Sequence, residues 1–216
     1  MRNVNARPFI YGIVTLSGFL WFAIAYFSGL DLSKAADFFK ILPNVVSIDL
    51  FVAAIFLKWG WKLPIFQDWL VPFPNISGTW KGHIVSDWVN PETGQRIAPM
   101  SAMLTVKQSF FHLHCVLRTD EMTSHSYAEG FIIDPDRQLK ILAYTYTSKP
   151  RIIVSDRSRP HDGTALLEII QKPEPKLTGR YWTERKTTGE MNFKFHSRDL
   201  LEEIPKETER HPILNQ

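Results

Sequence analysis

Two groups of side chains stand out for their chemistry. Tyr144 and Tyr146 alternate along one stretch, and Arg180, Tyr181, Trp182 and Arg185 lie close together further on. Residues 148–163 connect the two groups and carry Lys149, Arg151, Arg157 and Arg159 against Asp156 and Asp162. Flat rings and guanidinium forks suit a ligand with bases to stack and phosphates to neutralise. The competing reading places each ring in a core and each loop cation in water.

Catalytic patterns are not found. The chain has no Gly-x-Ser-x-Gly, Walker loop, Gly-x-Gly-x-x-Gly or His-Glu-x-x-His. His112 and His114 alternate on one strand face with Arg118, but with no carboxylate adjacent on that face they read as an exposed polar surface rather than a metal pair. Asp134, Asp136 and Asp156 have no ligand spacing, and Glu202 and Glu203 fall in a charged tail. The residues thus argue for no enzyme class without ruling one out, and neither a metal nor a cofactor is expected. Its single cysteine, Cys115, excludes an internal disulfide framework.

Two kinds of element must position these groups. Residues 8–30 are 23 uncharged residues, which as a helix rise about 34 Å, enough for a hydrocarbon core of roughly 30 Å. A second apolar run, 41–57, is short for a span and carries Asp49, which at mid-membrane costs about 2.5–3.5 kcal/mol on insertion scales. Asp49 is therefore expected to face a partner helix or a wet path, or to pair with Asn44 or Ser47. Lys58, Trp59, Trp61 and Lys62 follow where an interfacial belt belongs. Alternatives are a cleaved signal peptide for the first run, with Ala23-Ile24-Ala25 as a small-x-small site, and a buried soluble helix for the second. Arg2 and Arg7 before the first run, with Lys58 and Lys62 after the second, favour a hairpin with both chain ends in the cytoplasm.

After Pro64, Pro72 and Pro74 the hydrophobic period changes to two. Eight strands are predicted, at 76–85, 102–108, 111–118, 125–133, 139–147, 164–171, 177–184 and 190–196. The expected organisation is a two-helix transmembrane region (1–63), a Pro-rich linker (64–75), a barrel domain (76–198) and a charged tail (199–216), with one exposed helix over 198–209. Eight sequential strands solve their edge problem by closing as an up-and-down, lipocalin-like antiparallel β-barrel, with a sandwich as the alternative. Gly78, Trp80 and Gly82 on the first strand fit sharp coiling and a ring that plugs one end.

The 216 residues carry a net charge of +3, and residues 75–216 carry 19 basic against 18 acidic side chains. That balance is too weak to argue for bulk DNA or RNA binding, which is not expected, and any anion site must be a local pocket.

The order of parts then shows a resemblance. Two apolar runs and a Pro-rich linker precede Asn75-Ile76-Ser77-Gly78-Thr79-Trp80-Lys81-Gly82. The stretch from Leu177 to Gly189 holds Gly179-Arg180-Tyr181 and Arg185-Lys186-Thr187-Thr188-Gly189. This resembles the two-transmembrane, β-strand-rich effectors of bacterial cyclic-oligonucleotide-based antiphage signalling (CBASS), the CD-NTase-associated effectors. The resemblance implies a cytoplasmic barrel that binds a cyclic dinucleotide made by a partner nucleotidyltransferase. It also implies a homo-oligomer on activation, helices that disrupt the inner membrane so that infection aborts, and a protein that is not an enzyme. In that setting Tyr127, Tyr144, Tyr146 and Trp182 are the candidate stackers, and Lys107, Arg151, Arg180, Arg185 and Thr187 the candidate phosphate partners. Asp49 is the candidate for membrane function. The alternative is a membrane-anchored lipocalin-like carrier, with a dry pocket of Met103, Leu104, Phe131, Ile133, Phe193 and Phe195.

Overall fold

A computed structural model describes residues 7–90, 93–154 and 158–204. Contacts divide the chain between Pro74 and Asn75 into two compact units.

The N-terminal unit is an antiparallel helical hairpin. Helix α1 spans Arg7–Ser28 and α2 spans Ala35–Lys58. At 22 and 24 residues both are long and apolar enough to cross a bilayer. α2 starts before the apolar run because Ala35, Ala36 and the rings of Phe38 and Phe39 add a turn and a half of good helix, and Pro43 is accommodated inside it. The Trp21 and Phe38 rings stack at 4.2 Å, and Ala25, Ile41 and Val45 are buried between the helices. Asp49 meets the partner helix rather than Asn44 or Ser47: Ser17 Oγ donates to Asp49 Oδ2 at 2.6 Å, while Ser47 Oγ donates to the Pro43 carbonyl. Asp49 Oδ1 is buried with no hydrogen-bond partner.

Residues 59–73, read in part as a linker, are folded. Two short 3-10 turns, Gly60–Lys62 and Pro64–Phe66, lead into a turn closed by Val71 N–H donating to the Phe66 carbonyl at 2.8 Å. Phe66 packs edge-on against Phe56 of α2, and Trp61 against Phe73.

The second unit is a closed barrel of eight antiparallel strands in sequential order. They are β1 (Gly78–Ser86), β2 (Met100–Gln108), β3 (Leu113–Arg118), β4 (Met122–Asp134), β5 (Leu139–Pro150), β6 (His161–Ile170), β7 (Lys176–Thr183) and β8 (Thr188–Ser197). β1 closes on β8 through pairs such as Ile84 with Met191, which rules out the sandwich. A Cβ on Gly82 would run into the Asn192 carbonyl of β8, so this seam closes because residue 82 has no side chain.

Inward positions recur with period two and form one core, including Trp80, Leu104, Val106, Leu142, Leu167, Leu177 and Phe193. Trp80 plugs the end where β1 begins. It is 3% exposed, donates its Nε1–H to the Ile76 carbonyl at 3.0 Å and meets Phe195 edge-on at 5.2 Å.

The exposed helix predicted over 198–209 is not formed in residues 198–204, and 205–209 lie outside the described residues. The Thr79 hydroxyl donates to the Asp199 carbonyl and accepts from Leu201 N–H, and Thr105 Oγ1 donates to the Leu201 carbonyl. These bonds hold the strap against β1 and β2 and take the backbone groups a helix would use. They also explain why two outward threonines are buried.

Candidate ligand-binding cavity of the barrel

Four connections, described over 87–90 and 93–99, 119–121, 151–154 and 158–160, and 184–187, gather at the end opposite Trp80. There the inward side chains shrink. β5 runs Leu142, Tyr144, Tyr146, Ser148; β6 runs Leu167, Ala165, Gly163, His161; β7 runs Leu177, Gly179, Tyr181, Thr183. Small hydroxyl residues cannot fill the bore of an eight-stranded barrel. A cavity of about 450 Å³ is left. That size falls within the roughly 300–1,000 Å³ of small-molecule sites.

Its walls are of three kinds. Aromatic surface comes from Tyr146 and Tyr181 in the bore and Trp88 in the β1–β2 connection. Apolar surface comes from Ile84, Met100, Leu117 and Met191. Polar groups are Ser86, Ser124, Ser148, Thr183 and Thr187, with Glu121, His161 and Arg185 at the rim. Gly163 lets the Tyr146 ring lie against β6, since a Cβ there would overlap the phenol. Burial pushes the hydroxyls of Tyr146 and Tyr181 above the usual tyrosine range, so both are neutral rings with a proton to donate.

Among the described residues lining the cavity, Arg185 is the sole Lys or Arg. Its Nη1 donates to Ser158 Oγ at 3.1 Å and sits 3.4 Å from His161 Nδ1. The same His161 Nδ1 is 3.0 Å from the Arg159 carbonyl. The guanidinium is thus braced by the β5–β6 connection while one side stays open to solvent. Thr183 and Thr187 share a hydroxyl contact of 2.7 Å, and Ser124 Oγ donates to Ser148 Oγ at 3.0 Å. Hydroxyls able to rotate toward a ligand therefore line the mouth.

Of the nine sequence-predicted ligand residues, Tyr146, Arg185 and Thr187 line this cavity. Tyr144 lies one step deeper in the packed half, 2% exposed, its Oη without a hydrogen-bond partner. Arg151 is at the same end, with Nη1 donating to the Asp120 carbonyl at 3.2 Å and its N–H to that of Glu121 at 2.8 Å. It staples two rim connections. Lys107, Arg180 and Trp182 are on the outer face. Inward Val106 fixes the parity of β2, and inward Leu177 and Tyr181 that of β7. Tyr127 is also outside, 59% exposed, because the β4 register slips between Ser126 and Ala128 and turns it outward. Its hydroxyl donates to Asp162 Oδ2 at 3.3 Å. Arg157 and Asp156 lie outside the described residues.

The sequence reading missed Trp88, Glu121 and the ring of serines. The parity of Ser86 carries over to Trp88, and hydroxyl residues at successive inward positions were the available signal. The His114 surface also needs correcting. Glu129 lies 3.3 Å from His114 Nδ1 because the β4 irregularity brings it there, and Ser126 Oγ donates to Glu129 Oε1. Three or more potential ligands do not come together for a metal ion among the described residues.

A barrel plugged at one end, with rings, hydroxyls and a braced guanidinium at the other, has the build of a small-ligand receptor, and the same chain carries two helices long and apolar enough to cross a bilayer. Residues 71–195 match the family model described as Cap15, cyclic dinucleotide receptor domain, and the chain belongs to that family. It is also 26% identical over 178 residues to CD-NTase-associated protein 15 of Staphylococcus schleiferi, covering 81% of this chain and 91% of that one. The CBASS effector resemblance carried by residues 75–82 and 177–189 thus stands, and the family is one of receptors.

Proposed function

We propose that the cavity binds a cyclic dinucleotide made by a partner nucleotidyltransferase, and that binding drives the chain to self-associate and its helices to breach the inner membrane, aborting infection. One observation supports the reading: Arg185 lines the same cavity as Tyr146 and Tyr181, at the open end of a barrel whose other end is solid. In this reading the rings and Trp88 stack on the bases, Arg185 meets a phosphate, and Thr187 with its neighbouring hydroxyls binds the remaining polar edge. The barrel and both chain ends are cytoplasmic.

The messenger must bind the self-associating state more tightly than the resting one, or it shifts nothing. Assembled barrels then raise the effective concentration of the hairpins in the membrane plane. Asp49 belongs to this step: its buried Oδ1 has no partner within the hairpin, and a bundle of hairpins supplies a donor or a wet path. Asp49→Leu is expected to preserve ligand binding and assembly but weaken leakage of dye-loaded vesicles. Unchanged leakage would leave Asp49 as a packing residue only.

The apolar-carrier alternative loses its pocket. Leu104 and Phe193 fill the packed half, and Met103 points outward beneath cover. Calorimetric titration of the full chain in nanodiscs with a panel of cyclic dinucleotides, linear dinucleotides and a fatty acid decides between them. Tight binding of one cyclic species, weakened by Arg185→Ala, supports the sensor; binding of the fatty acid alone overturns it.

A further inference from the structure

The folded segment after α2 divides its large side chains into two sets. Trp61 is 1% exposed and Phe73 3%, and Phe66 packs on Phe56, which meets Phe9 of α1 at 6.1 Å. Trp59, Leu63, Ile65 and Trp69 are 56%, 52%, 71% and 60% exposed. Four large apolar side chains on one 11-residue stretch form a patch of the kind that marks an interaction surface. They are not a loose loop, because two 3-10 turns and the Phe66–Val71 turn fix the backbone and Trp69 Nε1 donates to the Ile65 carbonyl at 2.5 Å.

From this we infer that residues 59–70 form a collar that lies in the headgroup layer of the membrane, with the lipid surface as its partner. The inference rests on the reading of α1 and α2 as spans. α2 rises about 36 Å, so its last residue, Lys58, emerges at the water interface, and Trp59 follows it directly. Lys58 Nζ lies 4.3 Å from the Trp59 ring and Lys62 Nζ 5.6 Å from Trp61, so rings and ammonium groups occupy one level. Indoles with apolar bodies and a polar edge, next to lysines that reach for phosphate, are the composition of an interfacial belt. Arg7, at the other helix end on this side, adds a third cation.

A groove of about 860 Å³ supports the same occupant. It runs along α1 from Arg7 and Tyr11 past Gly12 and Thr15 to Phe19, with Trp69 as its wall. Residues 7–19 span about 18 Å of helix, close to one leaflet of a hydrocarbon core of roughly 30 Å. A cation at the top and apolar surface below match an anionic phospholipid.

The test uses the full chain in vesicles of phosphatidylethanolamine and phosphatidylglycerol. Cys115 is wholly buried, so a new surface cysteine is the labelling site. Ile65→Cys and Phe19→Cys are each labelled with an environment-sensitive fluorophore and quenched by lipids carrying nitroxides at shallow or deep acyl positions. The expected result is that Ile65 is quenched most by the shallow probe and Phe19 most by the deep one, with Trp69→Ser reducing the Ile65 quenching several-fold. A reporter at Ile65 that sits in water while Phe19 is deep overturns the collar and leaves the spans standing. Neither position quenched overturns both. An Ile65 reporter shielded from lipid as protein density rises makes a second copy the occupant and also overturns the proposal.

Discussion

The two ends of the barrel are built from the same eight strands with the same alternation, yet one is solid and the other hollow. At the solid end the inward layer is Trp80, Leu104, Leu142, Leu167, Leu177 and Phe193, all 3% exposed or less. At the hollow end the same strands turn to Ser86, Ser124, Ser148 and Thr183, and the bore opens. The difference is side-chain volume, not backbone. An eight-stranded bore has room for a layer of large side chains or for a ligand. Stability is concentrated where the residues are large, and that leaves the other end free to be polar. Hydroxyls that would be costly in a dry core are usable where a ligand or water satisfies them.

The largest expected effect falls on the solid end. Trp80→Ala removes a ring and its Nε1 hydrogen bond from a layer with no slack, at a cost of about 3–5 kcal/mol. Denaturant unfolding should show the loss, while the folded fraction binds ligand as before. Equal damage to affinity would mean that the two ends are not separable.

The hollow end should respond in the opposite sense. Arg185→Ala removes a charge-assisted contact worth about 1.5 kcal/mol, roughly tenfold in affinity, with little change in unfolding midpoint. Arg180→Ala is its internal control, because Arg180 is a cation five residues away on the outer face. If Arg180→Ala weakened binding and Arg185→Ala did not, the ligand would sit on the outer face, where Arg180 and Glu190 line a shallow depression, and not in the bore.

That control shows how far the sequence could be read. Strand number, order and the plugging ring were legible because alternation, Gly and Trp are local signals. The apolar helices were legible because their lengths match a bilayer. Which of two adjacent residues points inward was not, since one register slip between Ser126 and Ala128 reverses the parity. Arg180 and Trp182 were chosen for their chemistry, yet Leu177 sets the face. The belt residues Trp59 and Trp61 were legible from their place after the second apolar run, but the folding of 60–71 was hidden because three prolines in 64–74 read as a linker, and its turns close through backbone hydrogen bonds that no side-chain pattern announces. The 205–216 tail gives no comparison.

The smallest effect tests the rim of the hollow end. Asp87 begins the β1–β2 connection that carries Trp88 over the cavity, and accepts from Thr188 N–H and Thr188 Oγ1, both at 2.7 Å. The Thr188 hydroxyl, then its N–H, then the Arg96 charge hold the Asp87 carboxyl below its usual 3.8. A carboxylate with a depressed folded value contributes stability that is present above its unfolded value and lost as pH falls through the folded one. Asp87→Asn is therefore expected to lower the thermal midpoint slightly at neutral pH, with the gap between variant and parent closing as the pH drops below 3.8. Because the group is exposed, added salt weakens only the small Arg96 part and leaves the hydrogen-bonded part. A gap that persists in acid would mean the bond is held by shape, with the charge irrelevant, and that this rim is as rigid as the plugged end.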